Sequence, residues 1–447
     1  MTGSGTAADP YIIYDVDDLQ AVENDPYYYE LANDIDASET SGWNAGAGFN
    51  PLGDAAIGPH YGFVGHLDGK GHKITSLFIN RPTEDAGLFD TIVDGGEVKN
   101  LGIEDCDITG NRAGGMVRSN GGTITNCYTT GSVAAVRTTW GEAGGFVMEN
   151  LGYFGAGEIS NCYSTCTVAC ERAGGGFARH NDGVISKCYA LGAVSVTWPS
   201  GIPYVGGFVG SNGAHGVGTI SDCYARGDVE ATGDYVKASG FVHTNSETIE
   251  RCYSTGAVTA TGDHGETAGF CYYNGGTISD CFWDTESSGE SSSDGGTGKT
   301  TAEMKIESTF TDAGWDFTTP IWYIGAAFNN GYPAFEGVLI PTVTTDPATG
   351  RGAIAATING TLSQDGGEVC ECGLEWGLST EYGTITPTES KTTGETFSQV
   401  IGGLFPNTTY HFRAFATNSV GTSHGADRSF ATALVISKAH ALARREL

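Results

Sequence analysis

Cysteine followed by an aromatic ring recurs at a roughly regular spacing in this chain: Cys-Tyr at 127–128, 162–163, 188–189, 223–224 and 252–253, and Cys-Phe at 281–282. Regularly spaced thiols have three chemistries open to them. They pair as disulfides, bind soft metals as thiolates, or pack as small hydrophobes. The run 162-CYSTCTVAC spaces three thiols as Cys-x3-Cys-x3-Cys. Zinc sites usually show a Cys-x2–4-Cys pair and a second pair elsewhere. Cys370 and Cys372 lie two apart on a strand-like stretch, hence on one face, as core or edge residues. His60, His66 and His72 are six apart, but 65-GHLDGKGHKI reads as strand, tight turn and strand. No metal site is expected.

Catalytic signatures are absent. The sequence has no His-Glu-x-x-His, no Gly-x-Ser-x-Gly and no phosphate loop. Glycan cleavage needs two carboxylates flanking one bond, or a Ca²⁺-binding acid cluster with a basic residue. Asp222, Asp228, Glu230 and Asp234 are scattered and give no pair. The chain is expected not to be an enzyme, with a polysaccharide-cleaving activity as the remote alternative.

The elements that place these residues form a repeat. Blocks open on 86-AGLF, 113-AGGMV, 143-AGGFV, 174-GGGFA, 205-VGGFV, 238-ASGFV and 268-AGFC. Aligned on residues 89, 116, 146, 177, 208, 241 and 270, they recur about every 30 residues. Each continues into Ile-x-x-Cys-Tyr-x-x-Gly-x-Val, as in 220-ISDCYARGDV, and 98-VKNLGI fits with Leu101 in the thiol slot. A slot that accepts Leu is apolar, so the thiols are expected to form a buried, reduced ladder. Stacked in-register side chains point the same way, which suits disulfides poorly. In the same frame Cys166 fills the slot of Gly131, Gly192 and Gly227, and the apparent metal run dissolves.

Short Val/Ile/Thr/Tyr-rich strands divided by Gly, with no helical period, predict an all-β fold. The expected architecture is a parallel β-helix followed by a small β-sandwich. Eight or nine coils at about 4.8 Å would make a rod about 40 Å long. With Cys223 inward, alternation turns Ala225, Gly227 and Val229 inward and Tyr224, Arg226 and Asp228 outward. Ile220 breaks the alternation, so a bend must separate it from Cys223. Tyr128, Tyr163, Tyr189, Tyr224 and Tyr253 are then expected as an exposed ladder, the candidate ligand-binding surface for a sugar or a protein.

The block resembles the GLUG-motif repeat of bacterial surface adhesins and of the non-catalytic part of some immunoglobulin A peptidases. The lead-in 5-GTAADPYIIYDVDDLQAV and 61-YGFVGHLDGKGHKITSLFI is similar to that family as well. The resemblance covers roughly residues 3–336. It implies a right-handed parallel β-helix on a surface protein, and by itself no enzyme.

Residues 1–60 read as N-terminal cap and lead-in, with Asp15 or Asp17 capping a helix that carries Leu19 and Val22. Residues 61–285 are the β-helix, and 286–340 a flexible loop, C-terminal cap and linker. Residues 341–432 resemble a fibronectin type III sandwich through Leu404, Pro406 and Tyr410. The tail 433–447 is basic, either a short helix docking on an acidic surface or a frayed terminus.

The formal net charge is −31, from 53 acidic and 22 basic residues. That repels nucleic-acid phosphates and anionic membranes. It is compatible with Ca²⁺ or a high-salt habitat without demonstrating either, and no cofactor is expected. The chain has no run of 18 apolar residues for a membrane span. MTGSGTAADPYII lacks the basic and apolar regions of a signal peptide. This reads as a replaced leader or as another exit from the cell, such as a virus particle. The expected role is an extracellular, adhesin-like recognition or scaffold protein for a surface glycan or protein ligand. The alternative is a virion tail fibre or spike.

Overall fold

The computed structural model describes all residues except 54–61, 137–139, 152–156, 199–202, 214–216, 319–320, 325–328, 336–340, 366–368, 419–420 and 435–447. The chain divides into two compact units, Met1–Pro333 and Ala334–Leu447.

Met1–Pro333 is a parallel β-solenoid in which the strands of each coil pair with those of the coils before and after. One sheet is ten strands deep and a second is seven. The first carries an unbroken aliphatic column through Leu67, Val98, Ile124, Ile159, Ile185, Ile220, Ile249 and Ile278. The bend expected after Ile220 is a single residue. Asn100, Asn126, Asn161, Lys187, Asp222, Arg251 and Asp280, each just before the thiol slot, hold φ of 50–55°. One left-handed residue turns the chain, so Ile220 and Cys223 both enter the core. Beyond it Ala225, Gly227 and Val229 are buried, while Asp228 and Glu230 are exposed, as alternation requires.

The second bend is the Gly-Gly-Phe corner. A Cβ on Gly207 would lie 2.2 Å from Gly240 O, so only glycine lets successive coils close there. Phe146, Phe177, Phe208, Phe241 and Phe270 follow as a fully buried stack with ring centroids 4.7–5.0 Å apart. The strand pairing corrects the first block by one residue. Val117 pairs with Phe89, so Leu88 and not Phe89 occupies the Met116 slot.

Three residues after the corner's Val stands a ladder that the sequence reading missed. The amide Nδ2 of Asn120 donates to Asn150 Oδ1 at 2.8 Å, Asn150 to Asn181 at 2.9 Å, and Asn181 to Asn212 at 2.8 Å. Asn212 donates to Asn245 and Asn245 to Asn274, both at 2.9 Å. Asn181 also folds onto its own turn, accepting from Gly183 N at 3.2 Å. Buried amides are tolerable only when every donor and acceptor is used, and this ladder uses them coil by coil.

Both ends of the rod are closed by its own chain. Asp15 caps the helix Val16–Gln20 by accepting from Asp18 N at 2.9 Å, and Leu19 is buried. The lead-in belongs to the rod itself: Tyr11–Ile13 and Tyr28–Leu31 are the first two strands of the long sheet. The stretch from 286, expected as a flexible loop, is an ordered cap. Asp284 caps the turn Thr285–Ser288, and Thr297–Lys299 pairs with Phe282–Asp284. Ser293 Oγ accepts from Cys271 N at 2.8 Å, where a further coil would have supplied a carbonyl. The Ser293 hydroxyl here satisfies an edge that would otherwise be open.

The unit Ala334–Leu447 holds two small antiparallel sheets, one of Thr342–Thr349, Ala355–Gln364 and Thr396–Gly402, the other built around Cys370–Gly377 and Thr409–Asn418. They share a core of Ile358, Leu362, Cys370, Cys372, Leu374, Phe412 and Phe430. Tyr410 Oη accepts from Phe405 N at 3.0 Å, tying strand to loop. Most of the tail 433–447 lies outside the described residues.

The amide ladder gives a sharp stability contrast. Asn181→Ala strands an amide donor on Asn150 and an acceptor on Asn212, and should cost about 3 kcal/mol. Asn274→Ala, at the last and less buried rung, should cost about 1 kcal/mol or less. Urea midpoints of the two variants check this.

Candidate recognition surface

The aromatic ladder beside the thiols is built as expected in register. Strand pairing aligns Tyr128, Tyr163, Tyr189, Tyr224, Tyr253 and Phe282 one per coil. The five tyrosines stack face to face, with centroids 4.7–5.1 Å apart and planes within 6°.

Their exposure divides. Tyr128, Tyr163 and Tyr189 are half-buried. Tyr224 and Tyr253 are not exposed, at 4% and 0%, and Phe282 is at 6%. The chain beyond the last coil covers them with Phe310, Trp315, Trp322 and Tyr332. Tyr253 Oη bonds to Pro333 O and accepts from Asn329 Nδ2 at 2.8 Å. The expectation of five exposed rings therefore fails at Tyr224 and Tyr253. The aromatic run from Trp315 reads as a cap in the sequence, but nothing in its pattern says that it reaches back along the tyrosines. Arg226, expected outward, is held there too, its Nη1 donating to Asn329 O at 3.0 Å.

At the other end Tyr128 Oη donates to Glu104 Oε1 at 2.8 Å. Its ring lies over Gly102, where an added Cβ would sit 2.3 Å from Tyr128 Cζ. Burial, with the charge of Glu104, pushes the Tyr163 phenol up to about 12.

All twelve cysteines are buried and none is in a disulfide, ten of them in the rod and Cys370 and Cys372 in the second unit. Those in the repeat slot donate to the carbonyl two residues back, as Cys223 Sγ does to Ser221 O at 3.2 Å and Cys281 Sγ to Ser279 O at 3.1 Å. Cys106 and Cys166 face each other at 3.9 Å across the coil whose slot is Gly131. Among the described residues no three metal-ligating side chains gather. His66 bonds Glu97 of the next coil and His72 bonds Asp34 of the coil before, at 3.2 and 3.1 Å, and His60 lies outside the described residues. The scattered acids stay scattered. Asp228, Glu230 and Asp234 are exposed, and Asp222 is buried in a two-bond pair with Arg251, both bonds 2.9 Å.

Residues 202–230 match the GLUG motif. The rod is a parallel β-helix, and this stretch of it carries that motif. Halomucin of Haloquadratum walsbyi is 38% identical over 151 residues, which are 32% of this chain and 2% of halomucin. A protein of Evansella cellulosilytica described as a Gly-rich membrane protein is 36% identical over 132 residues, 28% of this chain and 15% of that one. The chain thus spans a small part of either relative. A crystal structure described as an immunoglobulin A1 protease of Bacteroides ovatus superposes with a TM-score of 0.51 at 23% identity. It covers 75% of this chain and 94% of that one, and the likeness is one of fold alone.

Burial and the neighbouring thiol hold Cys127, Cys252 and Cys281 well above the ordinary thiol value, and burial holds Cys170 and Cys271 at about 12. With Tyr163 these are groups whose folded values exceed their unfolded ones. Their contribution is complete below the unfolded thiol value, about 8.5, and is lost as pH rises toward the folded values. Through these groups stability should fall between about pH 9 and 12. Equilibrium unfolding across that range checks the sign, and thiol labelling at pH 8 should require unfolding.

Proposed function

We propose that this protein is a non-enzymatic, adhesin-like recognition or scaffold rod displayed at the cell surface. The observation that carries the reading is the in-register stack of GLUG coils. It gives a stiff core on which the outward positions other than the tyrosine slot vary from coil to coil. The similarity to halomucin and to a Gly-rich membrane protein supports a surface location. The Tyr410–Phe405 tie, with Leu404 and Pro406, supports a fibronectin type III-like reading of the second unit.

The proposal concerns location first. Mild protease treatment of intact source cells should release fragments detected by antibody. Recovery only after lysis would sink the proposal.

The charge predicts a salt response. A net −31 with most carboxylates outward repels itself, and salt screens that repulsion within about 3 Å at 1 M. The thermal midpoint should rise by about 5–10 °C from dilute buffer to molar NaCl. A flat or falling midpoint would remove the high-salt reading.

A further inference from the structure

The tyrosine ladder is one stack with two fates. Over Tyr224, Tyr253 and Phe282 it is roofed by the protein's own chain. At Tyr128 and Tyr163 the same stack, at the same spacing, stays half-buried. The roofed part shows how such a surface is engaged. Two strap rings cross the ladder's ring edges, with Phe310 at 58° to Tyr253, Trp322 at 52° to Tyr253, and Phe310 at 81° to Phe282, while Tyr332 lies nearly parallel to Tyr253 at 13°. Indole N–H groups then anchor on the left-handed residue before the thiol. Trp322 Nε1 donates to Asp222 Oδ1 at 3.1 Å and Trp315 Nε1 to Asp280 O at 2.9 Å. Beside Tyr128 and Tyr163 that position is held by Asn126 and Asn161, both exposed.

A sugar is the wrong occupant. Pyranose rings stack on aromatic faces, and here the faces are taken. Tyr163 lies between Tyr128 and Tyr189 at 4.9 and 4.7 Å, and the outer face of Tyr128 rests on Gly102. What remains is a row of ring edges beside amide acceptors.

We infer that Tyr128 and Tyr163, with Asn126 and Asn161, form a docking strip for a tryptophan-bearing segment of a partner protein. The inference rests on the recognition reading above. The occupant follows from continuity, since the strip extends a surface already filled by a segment of that chemistry.

The test uses the full chain and a labelled synthetic peptide with the strap sequence 307–324, ESTFTDAGWDFTTPIWYI. Saturable binding is expected, weakened about tenfold or more by Ala at both peptide tryptophans or by Tyr163→Ser in the protein. Asn161→Lys removes the acceptor and should weaken binding about fivefold. That variant should fold, because Lys187 and Arg251 hold the same left-handed position at φ 52° and 50°. Binding that ignores both protein variants would mean exchange at the strap's own place and would overturn the strip. So would a dimer of this chain, seen by sedimentation, that Tyr163→Ser dissolves, or glycan binding lost in that variant. Glycan or cell binding that survives both variants while the peptide fails overturns the strip but leaves the recognition reading standing. Absence from the cell surface overturns that reading instead.

Discussion

From Asn120 onward, each coil of this rod is held to the next by a primary amide that must find its partner one rung away. Asn120 through Asn274 satisfy one another in line, and each lies beside a backbone turn that uses its remaining valence. The ladder works only if every coil returns to the same height and register. The glycine corner and the single left-handed residue before the thiol provide that return. The phenylalanine stack and the aliphatic column supply most of the apolar burial. Hydrophobic contact alone would tolerate a coil slipped by a residue, whereas a buried amide left without its partner would not.

The thiol and the tyrosine are likewise consequences of register. Consecutive residues on a strand face opposite ways, so the stack writes one ladder inside and another outside. Inside, a thiol is small enough for the tight turn and can donate to the carbonyl two residues back. Outside, the rings press face to face and present only edges. The geometry that makes the tyrosines regular is the geometry that withdraws their faces from a ligand.

Much of this was legible in the sequence. The 30-residue recurrence, the inward thiol, Leu101 in its slot and the bend after Ile220 all follow from alternation and from which substitutions a slot accepts. Three features were not. The asparagine of 147-VMEN, 178-ARHN, 209-VGSN and 242-VHTN recurs as faithfully as the cysteine, yet reads locally as a turn residue. Only pairing between coils reveals it as core. The slip at Leu88 came from matching Phe89 by residue type where register decides. The roofing of Tyr224 and Tyr253 depends on contacts between residues about 100 apart, such as Trp322 with Asp222, that no local pattern encodes.

The amide ladder also has a direction. Each inner rung, from Asn150 to Asn245, donates toward the next coil and accepts from the one before, so the carboxamides line up head to tail like beads threaded one way. A whole coil can be inserted or removed and the thread closes again, while a single extra residue between Val and Asn would break it. Length is therefore the freely adjustable property of such a protein. Duplicating one coil extends it by about 4.8 Å, and a lineage can set how far its outermost surface stands from its base in steps of that size.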